Sequence, residues 1–251
     1  MATTTLTAAV ETPKGAIELP AVVEDRAPTP PAGPMHIQNA SQIEGEFSSR
    51  DLRIPRLNLI AKTGKLSDKF PKSVGGFLYD QEVVVADGTT PLEMVVLRFQ
   101  KFYMEKLDLD DDSEAMPRIF NRASEVRTNG GTLDYDAAAR GEGALFKDAA
   151  NITCLIKSPS KDHPLFPIDI EGNQYGLALW LVANSAYTTA GKTIFTYGQM
   201  ALKGGFERRF IKATSEIKSN ARGSWYIPKI VLGGPTTPAL QAQVKALLGM
   251  E

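Results

Sequence analysis

Residues 206–231 read FERRFIKATSEIKSNARGSWYIPKIV, and how this stretch folds decides how the rest of the chain is arranged. Two apolar and polar alternating runs flank Ser219-Asn220-Ala221-Arg222-Gly223, a cluster of turn formers. The spacing therefore predicts two antiparallel strands joined by a turn. Strand alternation would put Phe206, Arg208, Phe210 and Lys212 on one face. In the second strand Trp225 and Tyr226 are adjacent and point to opposite faces, so one can meet a ligand while the other packs.

Working outward, residues 188–203 change period. Ile194, Tyr197, Met200 and Ala201 recur at helical spacing, and Gly204-Gly205 ends the run. Beyond the hairpin, Thr236 or Thr237 is placed to cap a last helix over 238–248, with Pro238 at its start. Before the helix, 177–182 and 152–156 read as buried strands. Residues 134–150 have helical composition interrupted by Gly141 and Gly143. The clearest strand is 92–104. Val95, Leu97, Phe99 and Tyr103 share one face, interrupted by Lys101, while Arg98, Gln100 and Phe102 form a wetter face. Residues 77–79 and 82–86 read as strands ahead of an Asp87-Gly88 turn. The sum is an α+β fold, mainly antiparallel, expected as an OB-like Greek-key barrel with an inserted helix and a C-terminal helix.

The first fifty residues are rich in Ala, Thr, Pro and Glu, with Pro28, Pro30, Pro31 and Pro34 close together. Such a segment buries too little apolar surface to offset its ordering entropy, so 1–50 is expected as a disordered tail. Residues 51–251 are then one β-rich globular domain.

Composition narrows the chemistry. The net charge of −1 excludes a protein that coats duplex DNA by bulk charge, but it permits a local basic stripe. Cys154 stands alone, and His36 and His163 are far apart, so no thiol or imidazole cluster can hold zinc. The acidic run from Glu105 to Glu114 lacks the glycine and spacing of an EF-hand loop, and no metal or other cofactor is expected. The N-terminal segment has neither the basic nor the apolar region of a signal peptide, and no apolar run approaches a membrane span. The expected setting is cytoplasmic, without a membrane partner. No Ser-His-Asp spacing, nucleophile elbow or HExxH string is present, so a non-catalytic role is expected.

Between Lys192 and Lys229 there are ten charged residues, eight of them basic: Lys192, Lys203, Arg208, Arg209, Lys212, Lys218, Arg222 and Lys229. Basic residues mixed with rings suit single-stranded nucleic acid, because cations follow phosphates and rings stack on unpaired bases. Arg98 and Phe102 repeat that chemistry on the earlier strand. The expected interface is thus Arg98, Lys192, Lys203, Arg208, Arg209, Lys212, Lys218, Arg222 and Lys229 for phosphates. Phe102, Phe210 and either Trp225 or Tyr226 are expected for bases. The string Ala186-Tyr187-Thr188-Thr189-Ala190-Gly191-Lys192-Thr193 fits a relaxed Walker A pattern, but it has little glycine to turn backbone N–H groups onto phosphates. It reads more simply as a helix start that contributes Lys192.

Two segments, RIPRLNLIAKTGKLSDKFP at 53–71 and SEIKSNARGSWYIPKI at 215–230, resemble uncharacterised bacteriophage and prophage proteins. The resemblance implies a replication or recombination accessory that binds single-stranded DNA, with RNA as the alternative ligand. Homo-oligomers and replication or recombination partners are compatible with it. The C-terminal LLGME departs from the acidic tail with which single-strand binders commonly recruit partners. Two other readings remain: a phage structural or assembly protein, and a nucleotide-binding protein using Gly191-Lys192-Thr193.

Overall fold

The computed structural model describes residues 53–107, 116–203, 205–221 and 223–249; the expected tail and most of the acidic run lie outside them. Eleven strands are present among the described residues: β1 (Arg56–Leu59), β2 (Phe77–Tyr79), β3 (Val83–Ala86), β4 (Leu92–Glu105), β5 (Ile119–Phe120), β6 (Gly131–Thr132), β7 (Ala144–Lys157), β8 (Ile168–Ile170), β9 (Asn173–Ala183), β10 (Arg209–Asn220) and β11 (Gly223–Pro235). Their order is β11-β10-β4-β7-β9-β1-β2-β3, with β5 added to β4, β6 to β7 and β8 to β9. Pairings are antiparallel except β1 with β9 and β6 with β7. The fold is α+β, a mostly antiparallel mixed sheet curled into a half-barrel around an inserted helix.

The curl follows from long, twisted strands and from bulges. The register shifts between Val96 and Arg98 where β4 meets β7, and between Arg209 and Ile211 where β10 meets β11. On the inner face, Met94, Ile152, Cys154, Ile156, Trp180 and Phe77 gather in one buried cluster. The inserted helix, residues 184–201, fills the hollow with Tyr187, Ala190 and Ile194. Its buried stripe is therefore Tyr187-Ala190-Gly191-Ile194. The expected partners Met200 and Ala201 are exposed, so the helical face was placed about a turn off.

On the outer face, Val95, Leu155, Ile170 and Tyr175 pack against Leu240 and Val244 of the C-terminal helix, Pro238–Leu247. Thr237 caps that helix by accepting a bond from the Leu240 N–H. The hairpin is also drawn against the opposite end of the sheet. The Ser215 N–H donates to Gly88 O at 2.8 Å, and its hydroxyl donates to Gly75 O at 2.6 Å. Gly75, at φ 85, presents bare backbone to the Tyr226 ring; a Cβ there would stand 2.5 Å from a ring carbon.

Two segments differ from expectation. Residues 134–150 hold a short helix, Tyr135–Ala139, after which β7 begins at Ala144 and runs for 14 residues. The alanines at 149 and 150 read as helix formers, yet each is fully buried in the sheet, where small side chains admit the neighbouring layers. The short helix Ala123–Thr128 had no clear sequence signal; Glu125 holds its start by accepting from the Asn121 and Arg122 N–H groups.

Two core groups, Cys154 and Tyr79, resist ionising most strongly among the described residues. Burial pushes the Cys154 thiol from 9.0 up to about 12. Burial, helped by Asp80, raises the Tyr79 phenol from 10.0 to about 12. In the unfolded chain both lose their protons earlier, so above pH 9 the unfolded state binds fewer protons and stability falls as pH rises. Thermal midpoints measured from pH 7 to 11 should stay level to about pH 8.5 and then decline. Cys154→Ala should delay the onset of that decline towards pH 10.

Candidate nucleic-acid interface

The alternating face expected at Phe206, Arg208, Phe210 and Lys212 does not form. Residues Phe206–Arg208 make a turn of 3-10 helix, and β10 starts only at Arg209, so the period-2 count is broken before Phe210. Phe206 packs on the inner cluster, its ring against Gly198, while Phe210 packs on the outer cluster. Lys212 is half-buried and paired with Glu93 at 2.9 Å. Phe102 is also a correction. The bulge at Leu97 breaks the alternation before it, and Phe102, opposite Ala149, is 3% exposed and cannot stack on a base.

The remaining expected residues are spread over separate places. Lys218 and Trp225 stand opposite one another on the hairpin and share a face with Lys229, which lies 3.9 Å from Glu216. Tyr226 lies against Gly75, while Trp225 is partly exposed on the other face. Arg208 is exposed in the 3-10 turn, and Arg209 donates to Gly233 O. Arg222 lies outside the described residues.

Arg98, Lys203 and Lys192 are instead brought to the edge of the inserted helix. One cavity of about 640 Å³ is lined by Arg98 and Phe99 of β4, by Phe195 and Gln199 of the helix, and by Lys203 and Phe206. A second, of about 540 Å³, is lined by Lys101 and Tyr103 of β4, by Tyr187 and Lys192 of the helix, and by Lys147 and Asp148 of β7. Successive stretches of the same strand and the same helix line both, so the two cavities lie one after the other along the groove between β4 and the helix, with no lining residue in common. The groove opens because β10 pairs with β4 only as far as Met94, and β5 rejoins it at Tyr103.

The helix that lines both cavities is irregular. It contains two π-helical stretches, Tyr187–Gly191 and Tyr197–Ala201, and each lines one of the cavities. π-helical turns are rare and often mark functional sites. The Walker-like string lies within this helix rather than at its start. Gly191 sits at φ −58 and ψ −52 in the middle of a helix, so the N–H groups there are spent along the helix axis. A Cβ on Gly191 would stand 2.6 Å from the Tyr187 ring, so the residue is small for packing.

Electrostatically the groove is positive. Lys101 bonds Asp148 at 2.8 Å, and its ammonium lies 4.8 Å from the Tyr103 ring centroid and 5.9 Å from that of Tyr187. Burial works against the Lys101 charge, but Asp148 and the Tyr103 hydroxyl outweigh it and hold its pKa above the ordinary value. Burial likewise keeps the Tyr187 phenol protonated, against the pull of Lys101. Exposed rings stand at both ends: Phe195, 52% exposed and 6.1 Å from Phe99, and Tyr135, 55% exposed beside Lys106 and Lys147.

Sequence reading missed Phe195, Lys101, Lys147, Tyr135 and Tyr187. The available signals were a lysine interrupting the apolar face of β4 and an aromatic placed off the helix's buried stripe. Among the described residues no cluster of His, Cys, Asp or Glu could hold a metal ion, and no helix is long and apolar enough to cross a membrane. Compared with protein-family models, curated proteins and solved structures, the chain gives no match.

Proposed function

We propose that the protein is a non-catalytic binder of single-stranded nucleic acid, of the kind that accompanies phage replication or recombination. The groove between β4 and the inserted helix is its interface. The observation that carries the reading is the placement of Arg98, Lys203 and the partly exposed ring of Phe195 in one cavity, and of Lys101 and Lys192 in the next, between the same strand and the same helix. Cations spaced along a channel track a phosphate backbone, and rings beside them stack on bases whatever their identity. The OB-like barrel belongs to this proposal: the curled antiparallel sheet with its inserted helix supports kinship with that class. The Lys218–Trp225 pair of the hairpin offers a second contact, distant in sequence from the groove.

Fluorescence anisotropy of labelled oligo-dT tests it. Four phosphate contacts give a log–log salt slope of about −3 for a single strand. Lys203→Ala should make that slope shallower by about 0.7 with little change in folding. Absence of binding at low salt, or binding insensitive to salt, would sink the reading. Large ordered assemblies by light scattering in the absence of DNA would favour a phage assembly protein instead.

A further inference from the structure

We infer that the cavity lined by Lys101, Lys147 and Lys192 recognises a phosphate monoester, so that the protein prefers a phosphorylated strand end or a free mononucleotide. This rests on the reading of the groove as a nucleic-acid interface. The two cavities differ in kind. The one at Arg98 and Lys203 is walled by Phe99, Phe195 and Phe206 and suits bases with backbone diesters. The one at Lys192 is lined by three lysines, Lys101, Lys147 and Lys192, together with Ser185 and Asn184.

Charge counting separates their ligands. Of the three lysines, Lys101 is tied to Asp148 at 2.8 Å, so three positive charges and one negative leave two uncompensated. A diester inside a strand carries one negative charge, whereas a monoester carries about 1.5 to 2 near pH 7. Lysines are compact point charges with freely turning donors, which suits the tetrahedral end of a monoester. The cavity's volume, about 540 Å³, is of the size that encloses a small ligand. Tyr135 supplies a ring beside it, with the Lys147 ammonium 5.9 Å from the ring centroid.

The abrupt junction of β9 with the helix places the donors. Asn184 takes the left-handed conformation, φ 53, directly after Ala183, so the helix starts beside the lysines without a linker. Asparagine adopts that conformation more readily than most residues, which accounts for its presence here.

The test compares four ligands on the full chain: oligo-dT with a 5′-phosphate, with a 3′-phosphate, with neither, and thymidine monophosphate. One phosphorylated oligonucleotide should bind at least about tenfold more tightly than the bare strand, and Lys147→Gln with Lys192→Gln should erase the difference. Thermal melts of that double variant should match the parent, since neither lysine is in the core. Binding of thymidine monophosphate without any oligonucleotide would keep the phosphate pocket and overturn the strand reading. Equal affinity for all three oligonucleotides, with no mononucleotide binding, would overturn the pocket and leave the groove standing. Failure of all four to bind would end both.

Discussion

Phe195→Ala should weaken oligo-dT binding by about 5- to 150-fold, the equivalent of losing about 1–3 kcal/mol of base stacking. Phe195 is 52% exposed, and its chief ring neighbour is Phe99 at 6.1 Å. Its truncation therefore costs the folded state only about 1 kcal/mol or less. Affinity and stability should separate: a large change in titration, a small one in urea denaturation. Phe195→Trp should restore binding, because a ring is needed and its outline is not. Loss of binding matched by loss of folding would place Phe195 in the core. Unchanged affinity would remove it from the interface.

Phe77→Ala should lower unfolding free energy by about 3–5 kcal/mol with the folded topology retained. Phe77 is fully buried on β2 and meets Trp180 of β9 edge-on, 5.9 Å between centroids. Those two strands are joined only through β1, which pairs antiparallel with β2 and parallel with β9. The ring thus fills the inner face where the sheet's one parallel junction within its main path must close. Urea denaturation reads the effect as a lower midpoint at constant slope. A cost below about 1 kcal/mol would mean that the half-barrel core does not depend on this contact.

Most of the fold could be read from the sequence where periodicity and punctuation agreed. The hairpin turn at Asn220 and Gly223, strand β4, the helix before Gly205 and the capped helix at Pro238 all carry local signals strong enough to survive packing. The failures share one physical origin. A bulge or a 3-10 turn adds a residue without any compositional mark, and in a strand one extra residue exchanges the faces. That happens at Leu97, after which Arg98, Gln100 and Phe102 lie on the face away from the inner cluster, and at Phe206–Arg208, which sends Phe206 and Phe210 to opposite clusters. The charge count over Lys192–Lys229 held no information about where each residue would lie. Lys212 found Glu93, and Lys203 joined Arg98 from a strand a hundred residues earlier. Contacts of that range are set by topology, and a single chain's pattern holds no trace of them.

Zero-length ultraviolet cross-linking of oligo-dT, followed by peptide mapping, tests the groove most directly. Cross-links should fall on peptides containing Phe99 and Tyr103 of β4 and on those spanning Tyr187 to Phe195, and salt should suppress them in step with affinity. Cross-links confined to Trp225 and its neighbours on the hairpin, with none on β4 or the inserted helix, would contradict the assignment.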